Sequence, residues 1–302
     1  MKKNATVFLF LCLGLSLSAQ WKPAGEKIKT EWANKVNPKQ VLPEYPRPIM
    51  ERKEWKNLNG LWNYTIQEAG KATPSKYDGQ ILVPFAVESS LSGVMKEVGA
   101  KNELWYSTTF NIESNWKGQN ILLHFGAVDW KTEVWLNGVK IGSHTGGYTP
   151  FSFDITPFIA GTTQQLTVKV WDPSNEGTQP RGKQVKNPEG IWYTPVTGIW
   201  QTVWIEPVNK KNITTLKTTP NIDQNVISIK PEVAGASYGD LIEVTVYDDS
   251  KTIATGKASV GENLEIVLNN PKLWSPESPF LYKTNVKLIS NGKVVDQVKS
   301  YF

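Results

Sequence analysis

One cysteine and two histidines in 302 residues exclude several kinds of chemistry at the outset. The cysteine, Cys12, sits in an apolar run near the N-terminus. Without that run the chain has no thiol for catalysis, disulfides or metal ligation. His124 and His144 are too few for a three-histidine metal site and supply a Ser-His-Asp triad poorly. No run of Lys or Arg marks a nucleic-acid footprint. The net charge of +5 includes Lys2 and Lys3, and the +3 that remains is weak for this size. Glycine-rich phosphate loops, EF-hands and dinucleotide fingerprints are also missing. No cofactor and no metal site is expected, and helical periodicity is weak.

The N-terminus has the order of a secretory signal. Lys2 and Lys3 precede an apolar stretch over residues 7–17, and small residues Ser16, Ser18 and Ala19 follow. The stretch is too short to span a bilayer as a helix. Residues 1–19 therefore read as a signal peptide, removed on export to the periplasm, the bacterial surface or the medium. No membrane contact is expected after cleavage. A lipid anchor at Cys12 is rejected because Phe10-Leu11 is a poor context for it.

What the chain has in quantity is tryptophan: thirteen, all beyond residue 20. Indoles fill cores, and they also stack on the C–H faces of sugar rings. Residues 20–50 are polar and punctuated by Pro43, Pro46 and Pro48, an extended leader that lies on the fold or is loose. From Trp55 on, short strands alternate with turns: residues 61–66, 105–112, 120–125, 130–142, 166–171 and 201–206. Asn137-Gly138 supplies the positive-φ pair of a tight hairpin. One short helix is expected over residues 88–98. The pattern predicts a jelly-roll β-sandwich over residues 51–208. A polar break near residues 208–212 precedes cleaner alternation at 227–233, 241–247, 264–268 and 282–288. That predicts a disulfide-free immunoglobulin-like sandwich over residues 209–302. The fold class is all-β.

Three motifs in order carry a resemblance. His124-Phe125-Gly126-Ala127-Val128-Asp129 leads into Val134-Trp135-Leu136-Asn137-Gly138 and then into residues 142–156, GSHTGGYTPFSFDIT. Thr197-Gly198-Ile199-Trp200-Gln201-Thr202-Val203 follows, and residues 271–282 read PKLWSPESPFLY. Over residues 50–302 the chain resembles glycoside hydrolase family 2, the β-galactosidase and β-glucuronidase family. The resemblance implies a galactose-binding-like jelly roll, an immunoglobulin-like domain, and a (β/α)₈ barrel carrying two catalytic glutamates. The barrel should begin near a Tyr-Phe-Gly-like junction, and Ser300-Tyr301-Phe302 are the last residues here. The expectation is a non-catalytic front of an exported glycosidase, with no catalytic residue in this chain. Its partners would be carbohydrate and such a barrel, in the full-length chain or a separate one. A free-standing carbohydrate-binding protein is the alternative, and a structural scaffold a third.

Residues 180–190 form a polar loop between prolines and glycines that runs into GIWYTPVTGIWQTVW. Arg181, Lys183, Gln184 and Glu189 offer directed hydrogen bonds to hydroxyls, and Trp192 and Tyr193 an apolar platform. In several family members a loop acid six residues before the Gly-Ile pair reaches sugar held in the barrel. Counted back from Gly198 that position is Trp192, which either contacts sugar or packs on the barrel or the second domain. Asp129 and Glu133 read as surface or turn carboxylates. On one strand they would lie about 13 Å apart, too far for a glycosidase pair. Asp154 reads as a turn residue and His144 as a loop hydrogen-bonder. The 199–206 segment reads as a continuous final strand, with at least one of Trp200 and Trp204 structural.

The chain by itself is expected to hydrolyse no nitrophenyl glycoside. Turnover that co-purifies with it and is lost on Glu189→Gln would overturn that.

Overall fold

A computed structural model describes residues 21–26 and 29–302. The expected signal peptide, residues 1–19, lies outside the described residues. The first sandwich is built from β1 (Lys56–Asn57), β2 (Gly60–Glu68), β3 (Gly79–Val83), β4 (Asn102–Asn111), β5 (Asn120–Phe125) and β6 (Val128–Asp129). It continues through β7 (Lys131–Leu136), β8 (Val139–Thr145), β9 (Phe151–Asp154), β10 (Thr163–Trp171), β11 (Gly198–Ile199) and β12 (Val203–Val208). A six-stranded sheet in the order β3-β2-β4-β10-β7-β8 faces a four-stranded one, β1-β12-β5-β9, and β6 pairs with β11. The second sandwich contains β13 (Asn212–Asn221), β14 (Val226–Ala234), β15 (Leu241–Asp248), β16 (Lys251–Ser259), β17 (Leu264–Val267), β18 (Lys283–Ser290) and β19 (Lys293–Tyr301). Its sheets run β13-β14-β17 and β16-β15-β18-β19.

Alternation explains the inner faces. Leu166, Val168 and Val170 of β10 point into the first core and are fully buried, while Lys169 faces outward to Glu103 and Glu133 at 3.2 Å each. In the second core Ile242, Val244 and Val246 of β15 meet Val286 and Leu288 of β18. Burying each such side chain contributes about 1.5–3 kcal/mol. The β7–β8 hairpin turns at Asn137 and Gly138, with φ of 51° and 81°. Asn137 also ties the turn down: its amide oxygen accepts from Gln165 N, and its Nδ2 donates to Gln164 Oε1 and Phe158 O.

Two sequence expectations fail. Among the described residues every helical segment is a short 3-10 turn, and residues 88–98 hold only Ser90–Ser92. There the hydroxyls take over the backbone groups a helix would use: Ser89 Oγ accepts from Ser92 N, and Ser92 Oγ donates to Val87 O and Ser89 O. Gly93 then turns left-handed at φ 78°. The second failure is the continuous strand over 199–206. The chain switches partners between Trp200 and Thr202: β11 pairs with β6, and β12 with β5 and β1.

Strand β12 is buried on both faces. Val203 and Ile205 fill the core. Trp204 stacks on His124 at 4.7 Å, and Glu206 is fully covered by the leader. Tyr45 OH donates to Glu206 Oε2 at 2.6 Å, Arg47 Nη2 to Oε1 at 2.7 Å, and His124 Nε2 lies 3.1 Å from Oε1. Burial pushes the Glu206 carboxyl up, but His124, Arg47 and Tyr45 outweigh it and hold it down to about 2. The leader then crosses to the second sandwich. Met50 enters its core, Glu51 exchanges two backbone bonds with Lys299, and Arg52 pairs with Asp296 while donating to Ile213 O at 2.7 Å. Arg52 Nε remains 3.6 Å from Glu206, so one guanidinium touches both sandwiches.

Met50→Ala is therefore expected to lower the stability of the second sandwich by about 2–5 kcal/mol, although it lies ahead of the first. Hydrogen exchange at Ile242–Val246 is the readout. Unchanged protection there would show that Met50 adds nothing to that core.

Candidate functional site

The loop expected to hold binding residues is folded back on itself. Val185 N donates to Tyr193 O at 3.0 Å and Tyr193 N to Lys183 O at 2.8 Å, so its two arms run as a pair. Gln184 locks this pair to the sandwich. Its Nε2 donates to Asp129 Oδ2 at 3.1 Å, and its Oε1 accepts from Val196 N at 2.6 Å. Thr197 gives a second anchorage, with N donating to Glu88 Oε2 at 2.9 Å and Oγ1 to Asp172 Oδ2 at 3.2 Å. Ile199 N donates to Tyr106 OH at 3.2 Å. At Gly198, φ is 92° and a Cβ would collide with the Tyr106 hydroxyl, so glycine is required.

Above this lies an open cleft of about 260 Å³. Asp129 and Gln184 form its floor, Tyr148, Tyr193 and Trp200 its walls, and Lys183 its rim. Tyr148 meets Trp200 edge-on at 5.8 Å. The Trp200 indole donates to Gly147 O at 2.7 Å, which fixes the ring. Gly147 passes so close to Asp129 that a Cβ would lie 2.5 Å from its carboxylate.

The structure brings Lys183, Gln184 and Tyr193 together at the cleft. Arg181, Glu189 and Trp192 are elsewhere on the loop. Arg181 turns back to Asn175 O at 3.2 Å, and Trp192 is 40 % exposed, its backbone N–H bonded to Glu189 O. Sequence reasoning missed Tyr148 and Trp200 as cleft walls, and it misplaced Asp129. That carboxylate is buried, because the chain changes sheets at Trp130 and leaves Asp129 on β6 rather than on a strand with Glu133. Glu133 faces outward, 3.2 Å from both Lys140 and Lys169. Asp154 accepts from Thr156 N at 3.0 Å, and His144 lies 3.2 Å from Thr149 Oγ1, as a turn residue and a loop hydrogen-bonder should.

Burial raises three carboxyls beneath the loop. Glu88 is pushed up to about 7, its Thr197 bonds opposing and the Asp172 charge adding to the rise. Asp129 is pushed up to about 6 by burial, against its Gln184 bond. Asp172 is raised by burial as well, against the Ser174 amide and the Thr197 hydroxyl. Glu88 and Asp172 hold the loop from beneath, while Asp129 both holds it and lines the cleft. Among the described residues no group of three or more His, Cys, Asp and Glu is arranged to hold a metal ion. No helix there is long and apolar enough to cross a membrane.

Comparison with known proteins places this architecture. The sequence model for the sugar-binding domain of glycosyl hydrolases family 2 matches residues 84–205, and a second model of that family matches residues 201–302. A β-galactosidase of Thermoanaerobacter pseudethanolicus is 28% identical over 256 residues, 80% of this chain and 34% of its own length. A β-glucuronidase of Paenibacillus borealis is 26% identical over 274 residues, 83% of this chain and 45% of its own. The solved β-glucuronidase of Lactobacillus rhamnosus superposes with a TM-score of 0.66 at 22% identity, covering 83% of this chain and 45% of that one. An unliganded β-glucuronidase from Ruminococcus gnavus gives 0.65 at 20% identity, covering 85% and 46%. At these identities the structural likeness is one of fold. The chain spans about a third and just under half the length of these two curated relatives.

The raised carboxyls set a pH dependence. A carboxyl with a raised folded pKa stabilises fully below the unfolded range, and that stabilisation is lost as pH rises through the folded value. Thermal stability of the first sandwich should therefore fall between about pH 4 and pH 7, with a Glu88 contribution on the order of 3 kcal/mol. Glu88→Gln should flatten the upper part of the Tm–pH curve. Superimposable curves would contradict the assignment.

Proposed function

Because the chain belongs to glycosyl hydrolase family 2, we propose that it is the front part of an exported glycosidase acting on β-linked glycosides. The relatives it matches are named β-galactosidase and β-glucuronidase. The observation that carries the reading is the cleft over residues 183–200. Three aromatic side chains and one cation surround a polar floor, and the loop above is fastened at Gln184 and Thr197. An apolar face with a few aimed polar groups suits a sugar ring. The fastening keeps it in place at no entropic cost when sugar arrives.

Cleavage of a glycosidic bond needs a carboxyl pair flanking it, about 5–5.5 Å apart in retaining enzymes and about 6.5–9.5 Å in inverting ones. The carboxylates beneath the cleft are engaged in holding the loop. We assign hydrolysis to the catalytic barrel that the family carries, with the cleft presenting sugar toward it. Export is proposed from the order of charge, apolar run and small residues over residues 1–19.

The test is titration of the chain with β-galactosides, β-glucuronides and β-linked oligosaccharides, read by tryptophan fluorescence and calorimetry. Binding is expected, with Tyr193→Ala and Lys183→Ala each weakening it about tenfold. The cleft reading fails if every sugar leaves both signals unchanged, or if these variants bind as the parent does.

A further inference from the structure

A cavity of about 550 Å³ is unrelated to the loop. It lies on the outer face of the β16-β15-β18-β19 sheet, between the leader at Glu51 and the β15–β16 turn at Asp249 and Ser250. Strand register builds its floor. Tyr247 pairs with Lys283, and Lys283 with Tyr301, so one row reads Tyr-Lys-Tyr across three strands. The next row places Asn285 beside Lys299. Two inter-strand spacings separate the tyrosines by about 10 Å, close to the length of one disaccharide unit in an extended chain. Both tyrosines are half-buried in the sheet.

Polar groups here are unspent. The side chains of Lys283, Asn285, Gln297 and Lys299 make no hydrogen bond or ion pair among the described residues, and Asn285 Oδ1 is buried without a partner. One row further along the same face, Lys287 and Glu243 pair at 3.2 Å. A buried acceptor left open is unfavourable unless something fills it. The floor offers cations and amides, and the walls offer Glu51 and Asp249. Mixed signs disfavour a uniformly charged partner. Hydroxyls, each both donor and acceptor, suit all of these groups.

We infer that this groove is a second carbohydrate-binding surface, which takes a neutral, extended β-linked oligosaccharide across Tyr247 and Tyr301, with Asn285 and Lys283 bonding its hydroxyls. It is separate from the loop cleft and needs no part of it. Glu51 forms one wall because Glu51 and Lys299 exchange backbone bonds at 2.8 and 2.9 Å, which adds a one-residue strand to the sheet edge.

The experiment uses the full chain, with cellohexaose and xylohexaose as probes in calorimetry, and Tyr193→Ala as the background that disables the cleft. Binding should persist in that background and weaken about tenfold on adding Tyr247→Ala or Asn285→Ala. Unchanged Tm shows that the variants fold, and Lys283→Ala serves if one does not. Loss of all binding in Tyr193→Ala alone overturns the inference. So does an affinity held within about twofold by every added change, or binding only to sulfated glycans. Binding that ignores Tyr193→Ala but vanishes on Tyr247→Ala would instead sink the cleft reading and leave this one standing.

Discussion

A single buried carboxylate, Glu206, organises the junction of the two sandwiches. It points away from the first core on a strand whose other face is already full. Left alone it would be too costly to bury. Four side chains converge on it: Tyr45, Arg47, His124 and Arg52. Their sequence positions explain the architecture. Tyr45 and Arg47 bring the leader onto the first sandwich, and Arg52 carries it on to Asp296 and Ile213. Burial keeps the His124 pKa below its ordinary value, with Glu206 opposing. Its ring stacks on Trp204 while Nε2 faces the carboxylate at 3.1 Å. Removing one member of such a buried set costs more than the set contributes, about 3–5 kcal/mol, because a charge is left behind.

The same logic recurs beneath the cleft. Glu88, Asp129 and Asp172 are buried to anchor Thr197 and Gln184, and those two residues hold the aromatic walls in register. On the second sandwich the groove is instead a sheet face whose side chains are placed by strand register. The two surfaces proposed to meet carbohydrate are thus built by opposite means, one by a fastened loop and one by the pleat.

Strand positions and the two-sandwich class were legible because period-two alternation and turn chemistry are local. Asn137-Gly138 announced its hairpin, and residues 120–125 form a strand at those same bounds. The candidate site was legible in part. The loop stood out by composition, yet only Lys183, Gln184 and Tyr193 reach the cleft. Tyr148 and Trp200 come from other segments, and nothing local to either marks it as a wall. Asp129 looked like a turn carboxylate because its partner, Gln184, is 55 residues away. Nothing local marks Glu206 as buried, because its cover comes from the leader, 159 and 161 positions earlier. The expected helix after residue 88 failed for a local reason, serine hydroxyls competing for backbone groups. Residues whose role is set by distant partners escape a local reading.

The leader's route across both sandwiches also fixes an order of assembly. Met50 and Arg52 leave the ribosome early, but Ile213 follows Arg52 by 161 positions and Asp296 by 244. At translation rates of about 5–20 residues per second, Arg52 waits on the order of ten to fifty seconds for Asp296. The first sandwich can close during that interval, whereas the leader cannot dock fully until the last strand emerges. The leader is thus made before both sandwiches, yet docks fully only once the final strand of the second has emerged.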